Sequence, residues 1–198
     1  MGHGRYIPET PGEGAIIIGA GESRQLTLLL LPGDKSPGPI DVYLEGPGAE
    51  VEIDGLYLSG ESDEVDIDIT VHHIAPHCSS RQNLRGIVAG RAGFHGRIVV
   101  APGADGTAAH QQNHNILLTD SAIAQSDPQL EIYADDVECS HGATVGHLDE
   151  DALFYLRSRG IDLEEARYLQ LLSFISPVLG KFTHVEKRKI VAFLRKID

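Results

Sequence analysis

From Ala15 to Ile132 the apolar residues fall in short runs, and the runs are broken at frequent intervals. The runs are Ala15–Gly19, Gln25–Leu31, Ile40–Leu44, Ala49–Ile53, Val65–Val71, Gly86–Ala89, Gly93–Val100, Asn115–Leu118 and Gln129–Tyr133. Between them stand Gly33-Asp34, Gly46-Pro47-Gly48, Gly60, Ala75-Pro76, Gly90, Pro102-Gly103 and Asp127-Pro128. Many short strands punctuated by turn residues predict an all-β body. Alternation is clearest in Val65-Asp66-Ile67-Asp68-Ile69-Thr70-Val71 and in Val51-Glu52-Ile53-Asp54, which puts one face in a core and the other in water. The breakers lie too far apart for tight hairpins throughout. Solenoid coils and a β-sandwich both produce this punctuation, so the pattern alone leaves the two open.

The last run leads through Val137-Glu138-Cys139-Ser140-His141 into Gly142-Ala143-Thr144-Val145-Gly146, which reads as a small-residue turn. Helical patterns follow. Asp149, Glu150 and Asp151 suit the positive end of a helix dipole, Arg157 and Arg159 suit the negative end, and Gly160 closes the helix. Its buried positions are Ala152, Leu153 and Leu156. Asp162 with Glu165 resembles a capping box that opens a second helix, expected to run to about Ile175 and to be ended by Pro177. Thr183 with Glu186 repeats the device for a third helix, whose stripe is Ile190, Leu194 and Ile197. The division expected is a β core over residues 1–148 and a helical segment over 149–198, the helices capping one end of the body.

Bulk composition narrows the function. A chain of 198 residues suits one domain with a proper core, and 41% hydrophobic content is ordinary for such a domain. No apolar run reaches membrane-spanning length, and the first residues, MGHGRYIPETPGEG, lack the basic-then-apolar order of a secretion leader. With only Cys78 and Cys139 in the chain, a reducing cytoplasm is the expected location. A formal charge of −13 argues against nucleic acid or an anionic membrane as partner. Against that acidity, Lys181, Lys187, Arg188, Lys189, Arg195 and Lys196 form a basic tail, read either as a docking element or as a helix complementing its own dipole.

Several familiar sites are missing. Gly180-Lys181 has no upstream glycine at phosphate-loop spacing and is followed by Phe182, and Gly19-Ala20-Gly21 meets Arg24 where a third glycine is required. There is no nucleophile elbow, His-Glu-x-x-His or Cys-x-x-Cys. Ten histidines are a surplus. His72, His73, His77 and Cys78 are close in sequence, but strand alternation sends neighbours to opposite faces, so they read as structural. His110 and His114 share a face beside Gln111, Gln112 and Asn113, which suggests a polar ladder. Cys139 and His141 differ: two residues apart on an extended segment, they share a face at about 7 Å, and thiolate and imidazole both suit iron. Two donors are too few for a cluster, so a second chain or exogenous ligands would complete the shell. The competing reading is an inert cysteine beside a turn histidine.

The string LEIYADDVECSHGATVGHLDEDALFYLRSRGI, Leu130 to Ile161, resembles the signature of the SufD branch of the SufB/SufD family of iron–sulfur cluster assembly scaffolds. A weaker resemblance runs upstream through His73-Ile74-Ala75-Pro76-His77, Ser80, Phe94-His95-Gly96-Arg97-Ile98 and Asn115-Ile116-Leu117-Leu118. The resemblance implies a right-handed parallel β-helix followed by helices, and a non-enzymatic scaffold carrying a transient iron–sulfur cluster. It implies that His141, with Cys139 beside it, takes part in cluster assembly at an interface formed by Cys139, Ser140, His141 and Gly142. The partner there would be a second copy or a SufB-like paralogue. It further implies that the helices dock an ABC-type ATPase of the SufC kind, through Phe154, Tyr155, Arg157, Arg159 and Ile161. Family members carry an N-terminal helical region with no counterpart here, so the chain reads as a short form. Two other readings stand beside this one: an adaptor that recruits the ATPase without holding a cluster, and a β-helix carbohydrate-active enzyme using Asp66 and Asp68 or Asp135 and Asp136.

Overall fold

The computed structural model describes residues 15–197. The expectations about a leader and an N-terminal helical region, which concern residues 1–14, lie outside the described residues. Ten strands come first: β1 (Ile16–Ile18), β2 (Ser23–Leu30), β3 (Ile40–Leu44), β4 (Glu50–Ser59), β5 (Glu64–His73), β6 (Ser79–Val88), β7 (Arg91–Val100), β8 (Thr107–Leu117), β9 (Ile123–Ile132) and β10 (Val137–Gly146). Three helices follow: α1 (Glu150–Ser158), α2 (Leu163–Leu179) and α3 (His184–Leu194). The odd strands form one parallel sheet in the order β1-β3-β5-β7-β9, and the even strands form another in the order β10-β8-β6-β4-β2. Each coil therefore gives one strand to each sheet, and the chain is a parallel β-solenoid rather than a sandwich. The turn residues noted in the sequence mark the half coils, except Asp127-Pro128, which lies inside β9 in register with His95 and Gly96; a proline is tolerated there because β9 is an edge strand.

Parallel pairing stacks each inward side chain on its equivalents in the neighbouring coils. Val42 pairs with Val71 and Val71 with Ile98, and all three are fully buried. This aligned apolar column is what the alternating runs of β3, β5 and β7 build. In the other sheet the lumen is partly polar. Tyr57 donates its hydroxyl hydrogen to Asn115, Asn113 Nδ2 donates to the Tyr57 oxygen at 2.9 Å, and Asn115 Nδ2 donates to Asn113 Oδ1 at 2.8 Å. Three polar side chains thus satisfy one another inside the core. Gly86 makes room for them, because a Cβ there would collide with Asn115 and the Tyr57 ring.

The corners are also stacked. Gly48, His77 and Gly106 all adopt positive φ (70°, 58° and 72°) at equivalent corners of successive coils. The backbone N–H of each donates to the next coil: Gly48 to Pro76, His77 to Asp105 and Gly106 to Asp136. His77 is thus a corner residue, and its ring lies where a side chain at Gly106 would have to go. As strand alternation requires, His73 is buried in the lumen while His72 faces outward and stacks on Tyr43 at 4.3 Å. His110 and His114 form inter-coil bonds to Ser140 (2.8 Å) and Thr144 (2.7 Å), the ladder expected.

The helices depart from expectation in two ways. They do not cap an end. Leu171, Ile175, Val178, Phe182, Ile190 and Leu194 pack on Leu56, Leu58 and Ile87, outward residues of β4 and β6, so α2 and α3 lie along the flank of the even-numbered sheet. An amphipathic stripe says how much apolar surface is buried but not against what. Lys181 from the basic tail closes this joint, reaching Glu52 at 2.6 Å and the buried Asp54 at 3.2 Å, with Arg81 also paired to Glu52. The two cations hold the Glu52 carboxyl below its usual range, whereas burial pushes that of Asp54 up. The second departure is Pro177, which sits inside α2 and does not end it. It lacks the N–H that would bond the Ser173 carbonyl, and the Ser176 hydroxyl donates to that carbonyl at 2.8 Å instead. The predicted starts of the helices hold: Asp149, Asp162 and Thr183 are the N-caps, with a complete capping box at Thr183 and Glu186.

Two stability tests follow. Burial lowers the pKa of His73 from 6.5 to about 4, so the unfolded chain binds a proton that the folded one refuses. Stability from this residue is complete above pH 6.5 and falls as the pH drops towards 4, by about 3 kcal/mol in all. Urea unfolding of His73→Gln across that window should show a correspondingly flatter pH dependence. Tyr57→Phe strands the amides of Asn113 and Asn115 and should cost about 1–3 kcal/mol in the same assay.

Candidate functional site

The last coil is the end of the solenoid that carries the Cys-Ser-His triplet. β9 and β10 are terminal in their sheets, and no strand among the described residues pairs with their outer edges. Ile132 and Val145, in register with the buried Val100 and Asn115, are 40% and 45% exposed there, as expected of core-facing residues whose strands have an open outer edge. Gly142 to Gly146, read from sequence as a turn, is the second half of β10, in register with Gln112 to Ile116. Small residues at these positions still pair through backbone, which composition does not reveal.

β10 sorts the triplet by face. Cys139 pairs in register with Ala109 and His141 with Gln111, and both pack towards the lumen side. Ser140 points to the outer surface, where it bonds His110. The expectation that Cys139 and His141 share a face is met. Their environments differ, however. Cys139 is half-buried against Ile98, Val100, Ala104 and Ala109, and burial pushes its thiol above the ordinary range. His141 is exposed at the mouth and stands over the buried Gln111, which donates from Nε2 to Gln82 Oε1 at 3.1 Å. The other cysteine, Cys78, is buried with its sulfur 3.3 Å from the Gly46 carbonyl oxygen and lies apart from this pair.

A soft sulfur donor and an imidazole at an uncovered edge can contribute two ligands to iron and leave the rest of the shell open. Among the described residues no three His, Cys, Asp or Glu side chains are grouped to hold a metal, so Cys139 and His141 would need further donors to enclose one. At neutral pH the Cys139 thiol keeps its proton, and a metal would have to displace it.

A second surface lies on α1. Phe154 and Tyr155 are 74% and 57% exposed, large for apolar groups on a helix, and the Arg159 guanidinium lies 5.2 Å from the Tyr155 ring. Gly160, at φ 90°, turns the chain, and Phe154, Arg157, Gly160, Ile161 and Leu163 line a shallow groove of about 600 Å³. All five residues expected for docking therefore sit on α1 or the turn after it. No helix among the described residues is long and apolar enough to cross a membrane. Sequence reasoning missed Gln82 and Gln111 behind His141, and the Glu52–Arg81–Lys181 joint. Both depend on coil register, which becomes readable only once the coil length is known.

The chain matches the family model described as SUF system FeS cluster assembly, SufBD core domain, over residues 18–174. It is 41% identical over 133 residues to the iron-sulfur cluster assembly protein SufD of Escherichia coli (strain K12), a match covering 66% of this chain and 31% of that protein. It is 34% identical over 164 residues to an iron-sulfur cluster assembly SufBD family protein of Mycobacterium leprae, covering 77% of this chain and 42% of the relative. To the chloroplastic protein ABCI7 of Arabidopsis thaliana it is 39% identical over 152 residues, covering 75% and 32%. The matched region thus spans between 31% and 42% of the length of these relatives.

The chemistry of the pair can be checked directly. Cys78 should resist iodoacetamide in the folded protein. Cys139 should react more slowly than free cysteine at pH 8, and its rate should still be climbing by roughly tenfold per pH unit towards pH 9. Peptide mass mapping of the alkylated protein measures both.

Proposed function

This chain belongs to the SufBD family of the SUF iron–sulfur cluster assembly system, and from that premise we propose that it is a SufD-like scaffold on which a cluster is built between chains. The cluster is cargo, and the protein is not an enzyme. The observation that carries the reading is the position of Cys139 and His141 together at the uncovered last coil. In this reading a second solenoid, either another copy or a SufB-like paralogue, pairs with the free edges of β9 and β10. It covers the exposed apolar residues there and supplies the missing donors. Cys139, Ser140, His141 and Gly142 lie at that seam. Being half-buried already, Cys139 becomes drier on pairing, so its thiol loses the proton only when iron is present to take the sulfur.

The second surface has its own role in this proposal. Phe154, Tyr155, Arg157, Arg159 and Ile161 dock an ABC-type ATPase of the SufC kind, whose nucleotide-driven movement is passed to the solenoid through α2 and the Lys181 joint. The division into a solenoid core to residue 148 and a docking segment from residue 149 follows from these two roles. The location proposed is the cytoplasm. The adaptor reading keeps the ATPase surface and drops the cluster. It is favoured by the scarcity of grouped donors among the described residues, and the same experiment separates the two.

Anaerobic reconstitution with iron and sulfide, with the ATPase subunit present, should give the wild-type protein a visible charge-transfer absorbance. The Cys139→Ala, His141→Ala double variant should lose it while still binding the ATPase. Equal absorbance from both proteins would remove the site assignment, and no absorbance from either, with ATPase binding intact, would favour the adaptor.

A further inference from the structure

Behind His141 the lumen is polar in a way the fold does not require. Ile53, Gln82, Gln111 and His141 form one register column across β4, β6, β8 and β10. Successive coils are about 4.8 Å apart, so each of these side chains stands directly over the next. Gln82 and Gln111 are each 1% exposed. They share one hydrogen bond, from Gln111 Nε2 to Gln82 Oε1 at 3.1 Å. Whichever way two amides are turned, one bond between them uses one polar atom of each and leaves one of each over. Gln111 Oε1 and Gln82 Nε2 are the atoms left, and neither has a partner among the described residues. The Tyr57, Asn113 and Asn115 set in the same sheet is closed, which makes this open pair unusual.

The surroundings decide where the spare oxygen of Gln111 can look. Its Nε2 side is packed over Gly96, where a Cβ would run into it. Along the strand it is flanked on the lumen face by Ala109, which offers no polar side-chain group, and by Asn113, which is already bonded to Tyr57 and Asn115. Towards the mouth, the side chain over it is His141. The neighbouring column, Ser80–Ala109–Cys139, puts apolar carbon under the thiol, so the polar floor lies under the imidazole alone.

We propose that Gln111 is the positioning residue for His141: its free amide atom bonds one ring nitrogen, fixes the tautomer and turns the other nitrogen out of the mouth. Gln82 holds the Gln111 amide in place from below. A ligating imidazole whose far nitrogen is tied to a fixed group is better oriented and more basic than a free one, and losing such a tie weakens ligation by about 10–100-fold. This inference rests on the proposed role of His141 in cluster assembly, but the bond itself does not need iron to be seen.

The test uses the full chain labelled with 15N-histidine, read by long-range proton–nitrogen correlation at pH 8 without metal. His141 is assigned by the signals lost in His141→Ala. The expected result is that the wild-type ring shows one nitrogen carrying the proton. In Gln111→Leu and Gln111→Met both ring shifts should move towards those of free imidazole. Methionine nearly matches the length of glutamine, so it serves if the leucine variant fails to fold. Unchanged His141 shifts in a folded variant overturn the proposal, whatever reconstitution does. Shifted signals with reconstitution slowed about tenfold support it in full. Shifted signals in a protein whose reconstitution ignores even His141→Ala would keep the positioning bond and remove the cluster-assembly reading.

Discussion

Everything in this molecule depends on in-register stacking of parallel coils. A strand in the middle of the solenoid has a neighbour above and a neighbour below, so a lumen side chain must suit two partners at fixed distance. Apolar residues meet that demand by shape, as Val42, Val71 and Ile98 do. Polar residues meet it only in sets, because a single amide in the lumen would lose water and gain nothing. Tyr57, Asn113 and Asn115 form a complete set and Gln82 with Gln111 an incomplete one. At the last coil the rule lapses on one side. Among the described residues Cys139 and His141 have a coil beneath them and none above, which is why groups suited to ligation can stand there without being buried.

The same constraint explains what could be read from the sequence. β3, β5 and β7 were legible because their lumen positions are apolar and alternate with polar ones over Ile40–Leu44, Val65–Val71 and Gly93–Val100. β6 and most of β8 were not, because Ser80, Gln82, Gln111 and Asn113 occupy lumen positions and erase the hydrophobic period. Their identity as strands comes from pairing across coils, a non-local property. Choosing the solenoid over the sandwich needed the family resemblance, since both bury alternate residues. At the site, the shared face of Cys139 and His141 followed from strand geometry alone. The contrast between an apolar floor under one and a polar floor under the other did not, because the floor belongs to residues a full coil away.

The helical segment shows the limit of local rules from another direction. Caps at Asp149, Asp162 and Thr183 were visible because they depend on residues within one turn. The surface they pack on was not, and neither was the survival of α2 past Pro177, which depends on Ser176 occupying a carbonyl that proline leaves bare. Lying on the flank, α2 and α3 leave both the mouth and the exposed face of α1 uncovered. A cap over the last coil would have closed the mouth at which Cys139 and His141 stand.

The aligned left-handed corners at Gly48, His77 and Gly106 bear on how such a chain can change over generations. Each corner hands its N–H to the next by the same rule, so a whole coil can be duplicated or deleted and the ladder closes again on either side. An insertion of a few residues has no such freedom and must be expelled as a surface loop, or it will shear every column beyond it. Variation in length within this architecture should therefore come in quanta of one coil, with lesser differences confined to the bends.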